Sequence, residues 1–175
     1  MMAETQPEVW LRGPLPEFPI LLQPIVFALL QAKEDVNKMM LSFPDHLLYE
    51  RPGGAASPAF HLQHLTGVLD RMFTYVENLP LKEAQLKWLN EEGKPQDQHH
   101  SVSGLVALFN HQIETSLQKL QQIDTNTLTE PRGVGRQQLP STVFGLLFHA
   151  AEHTQRHVGQ LLVTVKVLNA PIKGA

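Results

Sequence analysis

Three histidines recur at four-residue steps in "FHAAEHTQRHVGQLL", residues 148–162: His149, His153 and His157. A helix puts positions i and i+4 on one face, with Cβ atoms about 5–6 Å apart. Each adjacent pair can then reach a common ion, because zinc–imidazole bonds are about 2.0–2.1 Å long. His149 and His157 lie two turns apart, so one ion takes one adjacent pair and needs a third ligand from elsewhere. "SPAFHLQHLTG", residues 57–67, offers His61 and His64. Helical periodicity lets both face a core and does not choose between them. His46, His99, His100 and His111 read as loop or surface residues.

The pattern differs from that of a zinc peptidase, in which H-E-x-x-H supplies two ligands and a glutamate base. Here the run is His153-Thr154-Gln155-Arg156-His157, and Glu152 precedes the first histidine instead. Peptidase chemistry therefore loses its base. Glu152 is expected to make a surface contact or one behind the ligands, and Arg156 to be a pocket group or, in preference, a solvated charge on the outer face. The chain of 175 residues has no cysteine. That excludes disulfides, thiolate metal sites and a cysteine nucleophile, so any thiol in its chemistry is a co-substrate. Net charge is −3 and the basic residues are scattered; no basic stripe points to nucleic acid. The opening "MMAETQPEVWLRGPLPEF" lacks the apolar segment of a signal peptide. No apolar run reaches the roughly 20 residues of a membrane span, and a soluble, cytoplasmic protein is expected.

The elements that must position these histidines are helices. Residues 1–18, with Pro7, Pro14 and Pro16, read as an extended lead-in. Apolar residues at three- and four-residue steps predict a helix from Ile20 to Leu41, with Pro24 in its first turn or at a kink. Residues 43–58 read as a loop. Ser57 and Pro58 are a cap and first-turn pair for a helix running to about Asn78. Its polar row Gln63, Thr66, Gly67, Asp70, Thr74 and Glu77 is expected to face water. Residues 81–90 suit a short helix, followed by the polar loop "NEEGKPQDQHH". A further helix spans Val102 to Ile123, residues 124–140 read as a loop, and Ser141 or Thr142 caps a last helix ending near Leu168. Phe60, Trp88, Phe144 and Phe148 are expected in the core rather than in a pocket wall. The predicted fold is all-α: a four-helix bundle with long inter-helix connections, one domain over residues 19–170.

The order of "SPAFHLQHLTGVLDRMF" and "LLFHAAEHTQRHVGQLL" resembles the DinB-like superfamily. That family is a four-helix bundle holding a divalent metal through three histidines. It includes bacillithiol transferases and is related to mycothiol-dependent maleylpyruvate isomerases. The resemblance implies His64, followed by Leu65, as the ligand from the second helix, and His153 and His157 as those from the last. It makes His61, His149 and Gln160 neighbours of the ligands or pocket groups, and assigns no catalytic residue. It further implies a divalent ion (zinc or nickel first, iron next), a small thiol with an electrophilic small-molecule substrate, and a homodimer. The activity implied is a metal-dependent thiol S-transferase; the alternative is a non-catalytic metal-binding or stress-related bundle.

Overall fold

The computed structural model describes residues 6–95 and 101–170; His99 and His100 lie outside the described residues. Three of the four long helices begin where a side chain satisfies a free backbone amide. The first, α1 (Gln23–Met40), follows a 3-10 turn over Ile20–Leu22 and carries Pro24 in its first turn without a kink. Ser57 opens α2 (Pro58–Val76) by accepting a hydrogen bond from the Phe60 amide at 3.2 Å. A short helix, α3, spans Glu83–Glu91. Ser101 caps α4 (Val102–Gln121) by accepting from Gly104 N. Thr142 caps α5 (Val143–Leu168) by accepting from Gly145 N at 3.0 Å.

Helix α1 packs against α4 and α5, and α2 packs against the same two. α1 and α2 therefore occupy opposite corners, and the α1–α2 and α4–α5 connections run diagonally across the bundle ends. Between the four helices lies a core that includes Leu29, Val36, Leu62, Leu65, Leu69, Phe73, Phe109, Ile113, Leu147 and Leu161. The α2–α5 contact is the one that matters for the site, because it joins the helix of His61 and His64 to that of His149, His153 and His157. No helix among the described residues is long and apolar enough to cross a membrane.

Three expectations change. First, the 124–140 stretch is not all loop: β1 (Pro131–Val134) and β2 (Leu139–Thr142) form an antiparallel hairpin. Its strands are only four residues long and each contains a proline, so no period-2 signal survives in the sequence. The hairpin is tied to α2 where Arg132 Nε donates to Val76 O at 2.8 Å.

Second, the polar row of α2 is largely covered. Gln63, Gly67 and Thr74 are buried, Thr66 and Asp70 are half-buried, and of that row only Glu77 is exposed. α3 and the turn after it lie along this face. Trp88 Nε1 donates to Gln63 O, while the Gln63 amide accepts from Gly93 N and donates to Lys94 O. Gln85 donates to Thr74 Oγ1 at 2.8 Å. A Cβ at Gly67 would stand 2.6 Å from Trp88 and 2.7 Å from both Arg71 and Glu92, so the crossing needs a residue without a side chain.

Third, Phe144 and Phe148 are not core residues; they are 43% and 58% exposed. Val143, Leu146, Leu147 and Ala150 form the buried row of that part of α5 instead. Phe60 and Trp88 are half-buried.

Candidate metal centre

His64 on α2 and His153 and His157 on α5 each offer a ring nitrogen, and the three lie within 4.8 Å of one another. The ring centroids are 4.3 Å apart for His64–His157, 4.6 Å for His153–His157 and 5.1 Å for His64–His153. His64 Nε2 faces His153 Nε2 at 2.8 Å. Two nitrogens on one tetrahedral zinc ion would stand about 3.4 Å apart, given the usual bond length. A shift of about half an ångström in these side chains would admit the ion.

The surroundings of His64 fix which of its nitrogens is free. Its Nδ1–H donates to Glu92 Oε2 at 2.6 Å, which leaves the lone pair on Nε2. The other oxygen of Glu92 accepts from Arg71 Nη1 at 2.8 Å. Both partners are enclosed, with side chains 4% and 7% exposed. A buried carboxylate of this kind is tolerable only with its charge compensated, and Arg71 does that from the same helix.

Behind His157 stands His61, buried, with the two Nδ1 atoms 3.1 Å apart. Among the described residues nothing hydrogen-bonds to the buried His153 Nδ1. Phe60 stacks on His64 at 5.4 Å with rings 10° from parallel, walling one side of the cluster.

Burial pushes His153 down to about 4 and His157 down to about 3, with the neighbouring His64 adding to each. His61 falls to about 4, again through burial first and His64 second. These rings are neutral near pH 7, the form that binds metal. Three converging imidazoles, one backed by a carboxylate, fit a divalent transition-metal ion with a coordination position left over.

The other histidines fall outside this group. His149 begins a second cluster, with Glu152 and His153, whose ligand atoms also lie within 4.8 Å. There Nδ1 of His149 meets Glu152 Oε1 at 2.8 Å, and Arg156 holds the other oxygen at 2.7 Å. The His149 side chain is 45% exposed and that of Arg156 54%, so Arg156 is the outward charge that was expected. Gln160 is exposed, and so are His46 and His111.

Two residues of the site have no part in the histidine pattern: Glu92 and Arg71. Arg71 had a signal, being seven residues after His64 and so two turns along the same face. Glu92 had none, because it sits in a polar stretch whose course depends on how α3 crosses α2.

The family model of the DinB superfamily matches residues 28–161, and the chain belongs to that superfamily. No curated protein matches it. Among solved structures, a conserved protein of Enterococcus faecalis is similar in fold. Its TM-score is 0.64 at 16% identity, covering 84% of this chain and 96% of that one.

Proposed function

We propose that this member of the DinB superfamily is a metal-dependent enzyme of the thiol S-transferase kind. In this reading His64, His153 and His157 hold a divalent ion, and a small thiol meets an electrophilic small molecule beside it. The observation that carries it is the convergence of three imidazoles from α2 and α5 with a buried carboxylate oriented onto His64. When bound, the ion would supply Lewis acidity, lowering the pKa of a coordinated thiol or water.

The chain's own part is to bind and to orient. His64 presents Nε2 because its Nδ1–H donates to Glu92, and Arg71 holds the Glu92 carboxylate in place. Phe60 keeps water from one side of the rings. The thiol comes from outside, since the chain has no cysteine of its own. Imidazole ligands suit zinc, nickel and iron alike, so the ion is named by analysis rather than by its ligands. Residues 19–170 act as one domain in this reading. It goes with a cytoplasmic setting, where small thiols are kept reduced, and with a homodimer, which rests on the superfamily resemblance alone.

The test begins with elemental analysis of protein purified without a histidine tag, beside the His153→Ala/His157→Ala double variant. Near-stoichiometric metal in the wild type and none in the variant is expected. Thiol-dependent consumption of an electrophile should then disappear with a chelator and return with the ion. Metal without turnover across a panel of small thiols would leave the alternative, a non-catalytic metal-binding bundle. Protein that retains no zinc or nickel after loading and desalting would end both.

A further inference from the structure

His61 and His157 face each other through their Nδ1 atoms at 3.1 Å. A neutral imidazole carries one proton, on one nitrogen, and the other nitrogen is an acceptor. A hydrogen bond between two Nδ1 atoms therefore has two forms. In one, His157 Nδ1–H donates to His61, and the lone pair of His157 lies on Nε2, open to an ion. In the other, His61 Nδ1–H donates to His157, and the proton of His157 moves to Nε2, where it blocks a ligand position. The two forms differ only in where two protons sit.

We propose that His61 is a positioning residue for the metal centre, an acceptor that fixes His157 in its ligating tautomer. The proposal deepens the metal reading of the site and rests on it. Three observations carry it. His61 is 4% exposed, so solvent is a poor substitute for its nitrogen. Phe60 meets its ring edge-on at 5.6 Å with planes 76° apart, which holds the ring against rotation. His64, three residues later on α2, is served in the same way by Glu92. One helix thus supplies both a ligand and the group that orients a ligand of the helix packed against it.

The pairing also ranks the three ligands. His64 donates to a carboxylate, which raises ligand basicity most. His157 would donate to a neutral imidazole, a weaker acceptor, and His153 Nδ1 has no hydrogen-bond partner among the described residues.

The test is cobalt(II) binding, followed by its visible spectrum and by competition with a chelator of known affinity, in wild type, His61→Ala and His61→Asn. Asn keeps an acceptor oxygen within reach of the former Nδ1 position. His61→Ala should weaken cobalt binding about 10- to 100-fold, the usual effect of losing such a partner. His61→Asn should recover most of it, with the wild-type spectrum. In the zinc-loaded protein, nitrogen-15 spectra of the imidazoles should show His157 protonated on Nδ1 and His61 on Nε2. These readouts respond to the proton's position and not merely to folding, which melting curves of the variants monitor separately.

Equal loss in the Ala and Asn variants, or a His61 protonated on Nδ1, overturns the proposal. So does a spectrum in His61→Ala that reports one ligand fewer, since His61 would then itself be a ligand. Wild-type protein that binds no cobalt overturns the metal reading and this role together. Normal binding that ignores both variants overturns this role alone.

Discussion

Two histidine pairs on α5 share one spacing and meet different surroundings. His153 and His157 face α2, where His64 completes a set of three nitrogens and Glu92, Arg71 and His61 stand behind it. His149, one turn earlier, meets Glu152, itself held by Arg156, at the surface, and among the described residues none from another helix joins that cluster. The i, i+4 step gives either pair the reach to grip an ion. What separates them is tertiary: a facing helix with a histidine of its own, and burial of the rings of His153 and His157. Exposed ion pairs such as Glu152–Arg156 contribute roughly 0–1 kcal/mol. Enclosed ones such as Glu92–Arg71 are costly to break on one side, at about 3–5 kcal/mol.

The largest contrast is expected from single ligand deletions. His64→Ala should abolish stoichiometric metal in elemental analysis, because the α5 pair alone lacks its third nitrogen. Metal retained at full stoichiometry in His64→Ala would place the ion on α5 by itself and break the distinction between the two pairs.

Next come the two carboxylates, compared directly. Glu92→Gln keeps the size of the side chain and removes its charge. It should weaken metal binding by about 10- to 100-fold. It should also lower unfolding stability in urea by about 3–5 kcal/mol, because Arg71 is left buried and uncompensated. Glu152→Gln should cost no more than about 1 kcal/mol in the same measurement. Equal effects from the two would mean that enclosure is not what distinguishes the clusters.

Acid gives a third contrast. In the metal-free protein the folded pKa values of His61 and His153 are about 4 and that of His157 about 3, against 6.5 for an unperturbed ring. Between those limits the unfolded chain binds more protons than the folded one, so stability falls as pH falls. This contribution is complete above about pH 6.5 and is lost progressively toward pH 4 and below. Urea midpoints at several pH values across that window should fall in the wild type. They should fall less steeply in a His153→Asn/His157→Asn variant, which has two fewer such groups. An unchanged slope would show that these rings are more open to water than their burial indicates.

What the sequence made legible follows from how local each signal is. Ser57 before Pro58 and Thr142 before Val143 marked two helix starts correctly, since a cap acts within three residues of itself. The α5 histidine step was visible for the same reason. Choosing His64 over His61 took the superfamily resemblance, because both lie on the inner side of α2. Gln63 and Thr74 point to water in the sequence because a polar row on a helix normally faces it. The covering element, α3, is too short and polar to announce that it crosses α2. The hairpin around Gly135 was hidden by two prolines and short strands, and Phe144 and Phe148 by the assumption that large aromatic side chains go inside. Glu92 was least accessible of all: nothing in "NEEGKPQDQHH" separates it from Glu91. The Gln63 amide, bonded to Gly93 and Lys94, holds the turn that brings it to His64.

The smallest expected effect falls on the pair that looks, in sequence, as good as the other. His149→Ala removes an exposed ring that hydrogen-bonds Glu152. An exposed contact of about 1 kcal/mol or less corresponds to a change in metal affinity of no more than about fivefold. Stoichiometry should stay at one ion, because His153 loses a neighbour and no ligand of the set with His64 and His157. Calorimetric titration with zinc measures both quantities at once. Two ions in the wild type and one in His149→Ala would mean that His153 serves both clusters, one through each ring nitrogen. Its unpartnered Nδ1 would then be explained, and the surface half of the stripe would be a site after all.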